Sequence, residues 1–380
     1  MSEPKEIWLC PDALFDGAGL VRGMAICLVH DRVKDLRPIS EIPQAAPKLA
    51  VQGLISPGFL DLQVNGGGGV LLNTTPTPDA MLAIAAAHRR FGTVGILPTV
   101  ITDRPEILAQ VATAALVCKG ARGILGLHIE GPHIALDRRG THAAELVRPV
   151  DEATMGIVRH LRQAGIVVMI TLAPEAATLA QISELAATGA IVSLGHTDAT
   201  AQQTRAALAA GASCFTHLFN AMSPMVHRMP GVVGAAINST AFAGIICDGI
   251  HVADEIVGLA IRARPVADTT FLVSDAMPTV GGPDHFHLYG QEVHLVDGRL
   301  LNAQGSLAGA HVSMAESVAR LVNAVGVDTA AALRMAVTVP ARVIGRPDLA
   351  RVAGRDAEDL LVLDATLAVL GTVADLTQKP

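Results

Sequence analysis

The sequence predicts an α/β fold built on a (β/α)8 barrel, and three observations carry that prediction. Between about residues 54 and 280, short apolar runs rich in β-branched residues alternate with Ala-rich stretches of helical period. Eight such runs fall in this span, which is the count and length a barrel of parallel strands needs. No G-x-G-x-x-G turn follows the first run, which disfavours a doubly wound open sheet.

The strand candidates are 54–65, 93–101, 123–130, 167–173, 190–196, 213–220, 244–248 and 270–275. Helix candidates at 78–91, 104–119, 153–164, 176–188, 199–210 and 253–263 lie between them. Strands alternating with helices of this length form βαβ units, whose strands run parallel. Beyond the rhythm the chain changes character. Residues 1–52 are short strands punctuated by Pro and Asp, including 23–33, and 359–364 and 368–373 return to short strands. Between them, 292–298 reads as a strand and turn, and 312–325 and 328–337 read as helices. Two β-rich termini suggest one small accessory sheet paired from both, beside the barrel. The expected division is 54–344 for the barrel against 1–53 with 345–380 for the accessory β-domain.

Composition narrows the class. Fifty-one per cent of residues are hydrophobic and 17% charged, so the chain is not disordered. A formal charge of −7, from 35 acidic and 28 basic residues, lacks the basic footprint of a nucleic-acid binder. The longest apolar run, 166–173, falls far short of the roughly 20 residues that span a bilayer. The N-terminus is charged and has no apolar leader core, so the expected location is cytoplasmic. Five widely spaced cysteines without a C-x-x-C pair read as free thiols.

In a parallel barrel the chemistry collects where strands end, so the residues closing each apolar run matter most. The first run closes with Gln63 and Asn65, the third with His128 and Glu130, and the fifth with His196. The sixth closes with His217 and Asn220, the seventh with Asp248 and His251, and the eighth with Asp275. A solvated rim would favour Lys, Arg and Ser. Instead, Glu130, His196 and His217 form the oxygen and nitrogen set that suits a catalytic divalent ion, with one position left for water. Asp275 is placed to take a proton from that water and hand it to a leaving amine.

These residues and their surroundings resemble the amidohydrolase superfamily, and within it the N-acetylglucosamine-6-phosphate deacetylase family. The motifs are HIEGPH at 128–133, GTH at 140–142, GHTDA at 195–199, THLFNAM at 216–222, DGIHV at 248–252 and LVSDA at 272–276. The resemblance implies a barrel with a sandwich from both termini, and hydrolysis of the acetamido group of a 6-phosphorylated amino sugar to release acetate. It implies Glu130, His196 and His217 as metal ligands and Asp275 as the proton acceptor and donor. It implies His142 at the sugar and acetamido region, and Asn220, Ala221 and His251 at the phosphate end. Arg228 would reach the phosphate of the neighbouring subunit in a homodimer, and Leu307, Ala308 and Gly309 would line the acetyl group.

Much of the superfamily has His-x-His where this chain has Gln63-Val64-Asn65. Amides are weak ligands, so Gln63 and Asn65 read as the vestige of a second metal site, leaving one divalent ion. Zn2+ is the first expectation, with Fe2+, Co2+ or Mn2+ as alternatives. N-acetylgalactosamine 6-phosphate is the alternative substrate. A Schiff-base aldolase would need a strand-end lysine, and Lys5, Lys34, Lys48, Lys119 and Lys379 all lie elsewhere. A non-catalytic phosphosugar sensor would have lost Glu130, His196, His217 or Asp275, and all four are present. His133 and His227 have no assigned role.

Overall fold

The computed structural model describes residues 6–303 and 305–377. The charged stretch 1–5, with Lys5, and Lys379 lie outside the described residues. Eight strands form one parallel sheet: β1 Phe59–Val64, β2 Thr93–Ile101, β3 Gly126–Glu130, β4 Val167–Leu172, β5 Ile191–Leu194, β6 Cys214–Phe215, β7 Phe242–Ile245 and β8 Thr270–Leu272. Each is followed by a helix: α1 Pro78–Arg89, α2 Pro105–Val117, α3 Glu152–Gln163, α4 Leu179–Ala187, α5 Ala201–Ala209, α6 Gly231–Ile237, α7 Asp254–Ala263 and α8 Met314–Asn323. Past the end of β8, Asp275 N donates to Gln63 O at 3.0 Å and Asn65 N to Ala276 O at 2.9 Å, which closes the sheet into a (β/α)8 barrel.

The strands read from sequence are mostly longer than those formed. The run expected over 54–65 breaks at Gly58, whose N–H ties back to Asp359 O at 2.9 Å. The next residue, Phe59, donates to Gly92 O at 3.0 Å and opens the barrel. So Lys48–Pro57 belongs to the terminal sheet. β6 ends at Phe215 where the sequence suggested a strand to 220, because His217, Phe219 and Ala221 take positive φ values of 29°, 81° and 51°. α6 gave no sequence signal. Two glycines and the β-branched Val232, Val233 and Ile237 lower its helix propensity, and burial of all seven residues stabilises it instead.

Both termini feed one seven-stranded sheet in which Glu6–Phe15 pairs parallel with Lys48–Pro57, and Leu360–Leu363 flanks the latter antiparallel. Alternation along the strands places Leu9, Ile26, Leu28 and Ile55 in one apolar cluster and Trp8, Ala25 and Cys27 in another. The sheet shares a core with the barrel floor, where Ala13, Phe15, Leu54, Leu361 and Leu363 pack with Phe59 and Val94. Arg89 and Arg122 brace this joint through Asp359 at 2.6 and 3.0 Å. All five cysteines are free. Among the described residues no helix is long and apolar enough to cross a membrane.

A four-stranded antiparallel sheet, His285–Leu288, Gln291–Val296, Arg299–Leu301 and Leu307–Ala310, is inserted between β8 and α8. Only a strand and turn at 292–298 was legible there. Its buried face, Phe286, Leu288, Val293, Leu300 and Ala308, packs on Leu71, Ile101 and Met277, so the insertion sits at the barrel mouth.

Candidate functional site

The polar residues that close the strands meet in one cavity of about 170 Å³ at that mouth. Its lining includes Asn65, Glu130, His142, His196, His217, Asn220, Ala221, His251, Asp275, Leu307 and Gly309. Three of the donors sit on backbone that side-chain-bearing residues rarely adopt. His196, His217 and Asp275 have φ values of 47°, 29° and 52° as the chain leaves β5, β6 and β8. Each such conformation costs of order 1–3 kcal/mol and persists only where the surroundings over-determine it. Here Leu218 N donates to Gly244 O at 2.7 Å and Ala135 N to His196 O at 2.8 Å. Gly195 is required beside His196, since a Cβ there would lie 2.8 Å from Thr216 Cβ and 2.9 Å from Thr171 Cγ2.

At the centre, His196 Nε2 and His217 Nε2 lie 3.2 and 3.0 Å from Glu130 Oε1, and 3.1 Å from each other. His196 Nδ1 faces the Arg138 carbonyl at 2.9 Å and must donate to it, which leaves Nε2 with a lone pair. A lone pair aimed at a carboxylate oxygen and at a second imidazole is unfavourable without a cation among them. The electrostatics agree. Burial alone would raise the Glu130 carboxyl, yet His196 and His217 hold it well below the usual carboxylate range. Burial lowers the His217 imidazole, but Glu130 more than reverses this and its affinity for a proton rises. The cluster draws positive charge, and its donor set fits a divalent ion.

A second grouping is present. Glu130, His142 and His196 also offer ligand atoms within 4.8 Å of one another. His142 packs against His196 with ring centroids 4.4 Å apart and planes tilted by 47°, and burial holds its pKa down to about 3, so the ring is neutral.

Asp275 is linked to this cluster through amides. Gln63 Nε2 donates to both Glu130 oxygens at 3.0 Å and to Asp275 Oδ1 at 3.1 Å. Burial and the Glu130 charge raise the Asp275 carboxyl to about 6. His251 is oriented by Asp248, whose Oδ2 lies 2.6 Å from His251 Nδ1. Below the cavity His128 bridges Thr99 and Thr171 inside the barrel, at 3.3 and 2.7 Å.

Two residues named from sequence stand elsewhere. Ala308 faces the core of the inserted sheet, because alternation along Leu307–Ala310 turns it away from Leu307 and Gly309. Arg228 lies in an exposed loop beside Met225, Val226 and Met229 and does not line the cavity of its own chain. His227 shares that exposed loop, while His133 is buried with Nδ1 3.1 Å from the Arg148 carbonyl.

A family model for the amidohydrolase family matches residues 54–379. The chain belongs to that family. This amidohydrolase is 40% identical over 323 residues to the N-acetylgalactosamine-6-phosphate deacetylase of Shewanella sp. (strain ANA-3), covering 84% of this chain and 81% of that one. It is 32% identical over 365 residues to the N-acetylglucosamine-6-phosphate deacetylase of Haemophilus influenzae, covering 94% of each. The crystal structure of N-acetylglucosamine-6-phosphate deacetylase from Pasteurella multocida superposes with a TM-score of 0.90 at 32% identity, over 97% of both chains.

Three residues of this amidohydrolase's site escaped the sequence reading. Thr102 is the first polar residue past β2, so the strand-end rule applied to 93–101 would have found it. Tyr289 donates from the inserted sheet to the Thr102 carbonyl at 2.5 Å. Met277 lines the cavity from just past Asp275. Neither of these two had a signal, since their positions depend on how the insertion folds back.

Proposed function

We propose that this amidohydrolase removes the acetyl group from N-acetyl-D-glucosamine 6-phosphate, giving D-glucosamine 6-phosphate and acetate, in amino-sugar catabolism or recycling. The observation that carries this reading is the junction of two groups in one cavity. The Glu130, His196 and His217 cluster is joined by Gln63 to a buried carboxylate, Asp275, held at the pKa of a general base. The names of the relatives supply the substrate class.

Glu130, His196 and His217 would hold one divalent ion, with Zn2+ first and Fe2+, Co2+ or Mn2+ as alternatives. Such an ion supplies Lewis-acid chemistry, acidifying water and polarising a carbonyl. Asp275 takes the proton of the attacking water, and His142 donates to the oxygen that gains charge. Asp275 then passes the proton to the departing amine. Leu307 and Gly309 offer an apolar wall for the methyl of the acetyl group.

Asn220, Ala221 and His251 would receive the phosphate end. Among the described residues no Lys or Arg lines the cavity, so a phosphate dianion needs a cation from elsewhere. We infer that Arg228 of a partner subunit supplies it in a homodimer. Met225 and Met229, 51% and 70% exposed beside it, give the loop an apolar surface suited to burial between subunits. The reading also carries a cytoplasmic location and a division into the barrel and a small terminal β-domain, with the boundary at Gly58.

Acetate release from N-acetylglucosamine 6-phosphate by the purified protein, measured with its metal content, tests the proposal. Finding no acetate and no bound metal would overturn it. The 40% identity to an enzyme named for the galacto sugar favours a second reading, in which N-acetylgalactosamine 6-phosphate is preferred. Parallel kcat/KM values on the two sugars decide between them.

A further inference from the structure

Thr102 follows β2 directly and is fully buried. Its hydroxyl lies 2.7 Å from His142 Nδ1, its only hydrogen-bond partner among the described residues. Its carbonyl accepts the 2.5 Å bond from Tyr289, so the inserted sheet clamps this residue from the mouth side. From the other side the hydroxyl is packed by Gly131. A Cβ at Gly131 would come within 2.3 Å of Thr102 Oγ1, and its φ of +79° disfavours a side chain in any case.

Counting hydrogens selects one arrangement. A neutral imidazole has one N–H and a threonine has one O–H. Were the ring hydrogen on Nδ1, it would point at Thr102 Oγ1, and the hydroxyl hydrogen would be buried without an acceptor. That orphan carries the full desolvation penalty of a buried donor left unpaired. With Oγ1–H donating to Nδ1, both groups are satisfied and the ring hydrogen sits on Nε2. No carboxylate among the described residues hydrogen-bonds to the ring and draws a second proton onto it. His196 is wired the opposite way, because its Nδ1 faces a carbonyl that can only accept.

We propose that Thr102, clamped by Tyr289, is a positioning residue that sets His142 as the Nε2–H tautomer, making it a hydrogen-bond donor to the substrate carbonyl and not a metal ligand. The inference rests on the amide hydrolysis proposed above and deepens it. It divides the two overlapping groups cleanly: Glu130, His196 and His217 serve the cation, and His142 serves the oxygen that gains charge.

The test uses the zinc-loaded protein with 15N-labelled histidine, reading ring tautomers by long-range 1H–15N correlation. His142 is assigned by the signal lost in His142→Gln. The expected results are an Nε2–H ring in the wild type and in Thr102→Ser, and loss of that pure tautomer in Thr102→Val. Zinc content should equal the wild-type value in all of these variants, His142→Gln included. For acetate release, Thr102→Val should lower kcat by about 10²-fold with KM little changed, and Thr102→Ser should restore it. An Nδ1–H ring in the wild type, zinc loss in His142→Gln, or unchanged kcat in Thr102→Val each overturns the inference. If Thr102→Val does not fold, the wild-type and Thr102→Ser spectra decide. If the wild type releases no acetate, the substrate reading fails, while tautomer and zinc content still decide the role of Thr102.

Discussion

Asn65 Nδ2 donates a 2.7 Å hydrogen bond to Asp275 Oδ1, the oxygen that also takes the 3.1 Å bond from Gln63. Two neutral amides therefore hold a buried carboxylate whose pKa stands near 6. Asp275 accepts a proton only when ionised, so kcat/KM, which reports the free enzyme, should fall on the acid side as Asp275 takes up its proton. A hydrogen bond to a charged group contributes about 1.5–3 kcal/mol, or roughly 1–2 pKa units. Asn65→Ala removes one from the ionised form, and the acid limb of the pH–kcat/KM profile should move upward by about that much. A limb that stays in place would show that Asp275 is not the group whose ionisation limits the rate.

Replacing Asp275 with Asn keeps the shape and removes the base. The expected kcat loss exceeds the factor of about 10²–10³ typical of losing a single oxyanion donor, with bound metal retained. Near-normal turnover in a metal-loaded Asp275→Asn protein contradicts its role.

Removing the metal should cost stability as well as activity. Without a cation, Glu130, His196 and His217 bring lone pairs into mutual contact. A ligand at about 100 times its Kd stabilises a fold by ~2.7 kcal/mol. A chelator should therefore lower the Tm and abolish acetate release, and added zinc should restore both. His217→Ala should lose most of the bound metal. Identical melting curves with and without chelator are the outcome that contradicts this.

Asp61 offers a test apart from catalysis. It is buried in the barrel against the Ser274 and Gln63 amides, and burial raises its carboxyl to about 7 from 3.8. A pKa higher in the folded state favours folding with the proton on. Stability from this group is full below about 4 and is lost as pH rises through about 7. The gap corresponds to ~4 kcal/mol at 1.36 kcal/mol per unit. Asp61→Asn should gain on the wild type in urea unfolding at pH 8 relative to pH 5, and parallel stabilities at both pH values would contradict it.

Arg228→Ala should raise KM for the phosphorylated sugar by a factor of about 10–100, from the ~1.5–3 kcal/mol of a charge-assisted bond, with little effect on kcat. Mixing inactive Asp275→Asn subunits with Arg228→Ala subunits should form sites that combine an intact Asp275 with an intact Arg228. Recovery of low-KM turnover on mixing supports an arginine acting across the interface, and no recovery places it elsewhere.

The barrel and the chemistry of its rim were legible in the sequence because both follow from local rules. A buried strand must be apolar, so a carboxylate or imidazole closing it, as Glu130 and His196 do, needs a reason beyond packing. The α/β alternation likewise follows from period and length. Other features depend on partners far away in the chain. The break at Gly58 separates ties to Asp359 and Gly92, and α6 is stabilised by burial against its own propensities. Tyr289 reaches Thr102 only after the inserted sheet folds onto the mouth.

The sequence alone therefore determined which residue types would stand at the strand ends, since periodicity and burial are written locally. Tertiary structure alone decided how they are wired. It set which ring nitrogen of His142 and His196 faces the cavity, which amides hold Asp275, and why Arg228 lies outside its own site. Hydrogen-bond partners are chosen by distances of about 3 Å across separate strands and loops, and sequence spacing has no access to those distances.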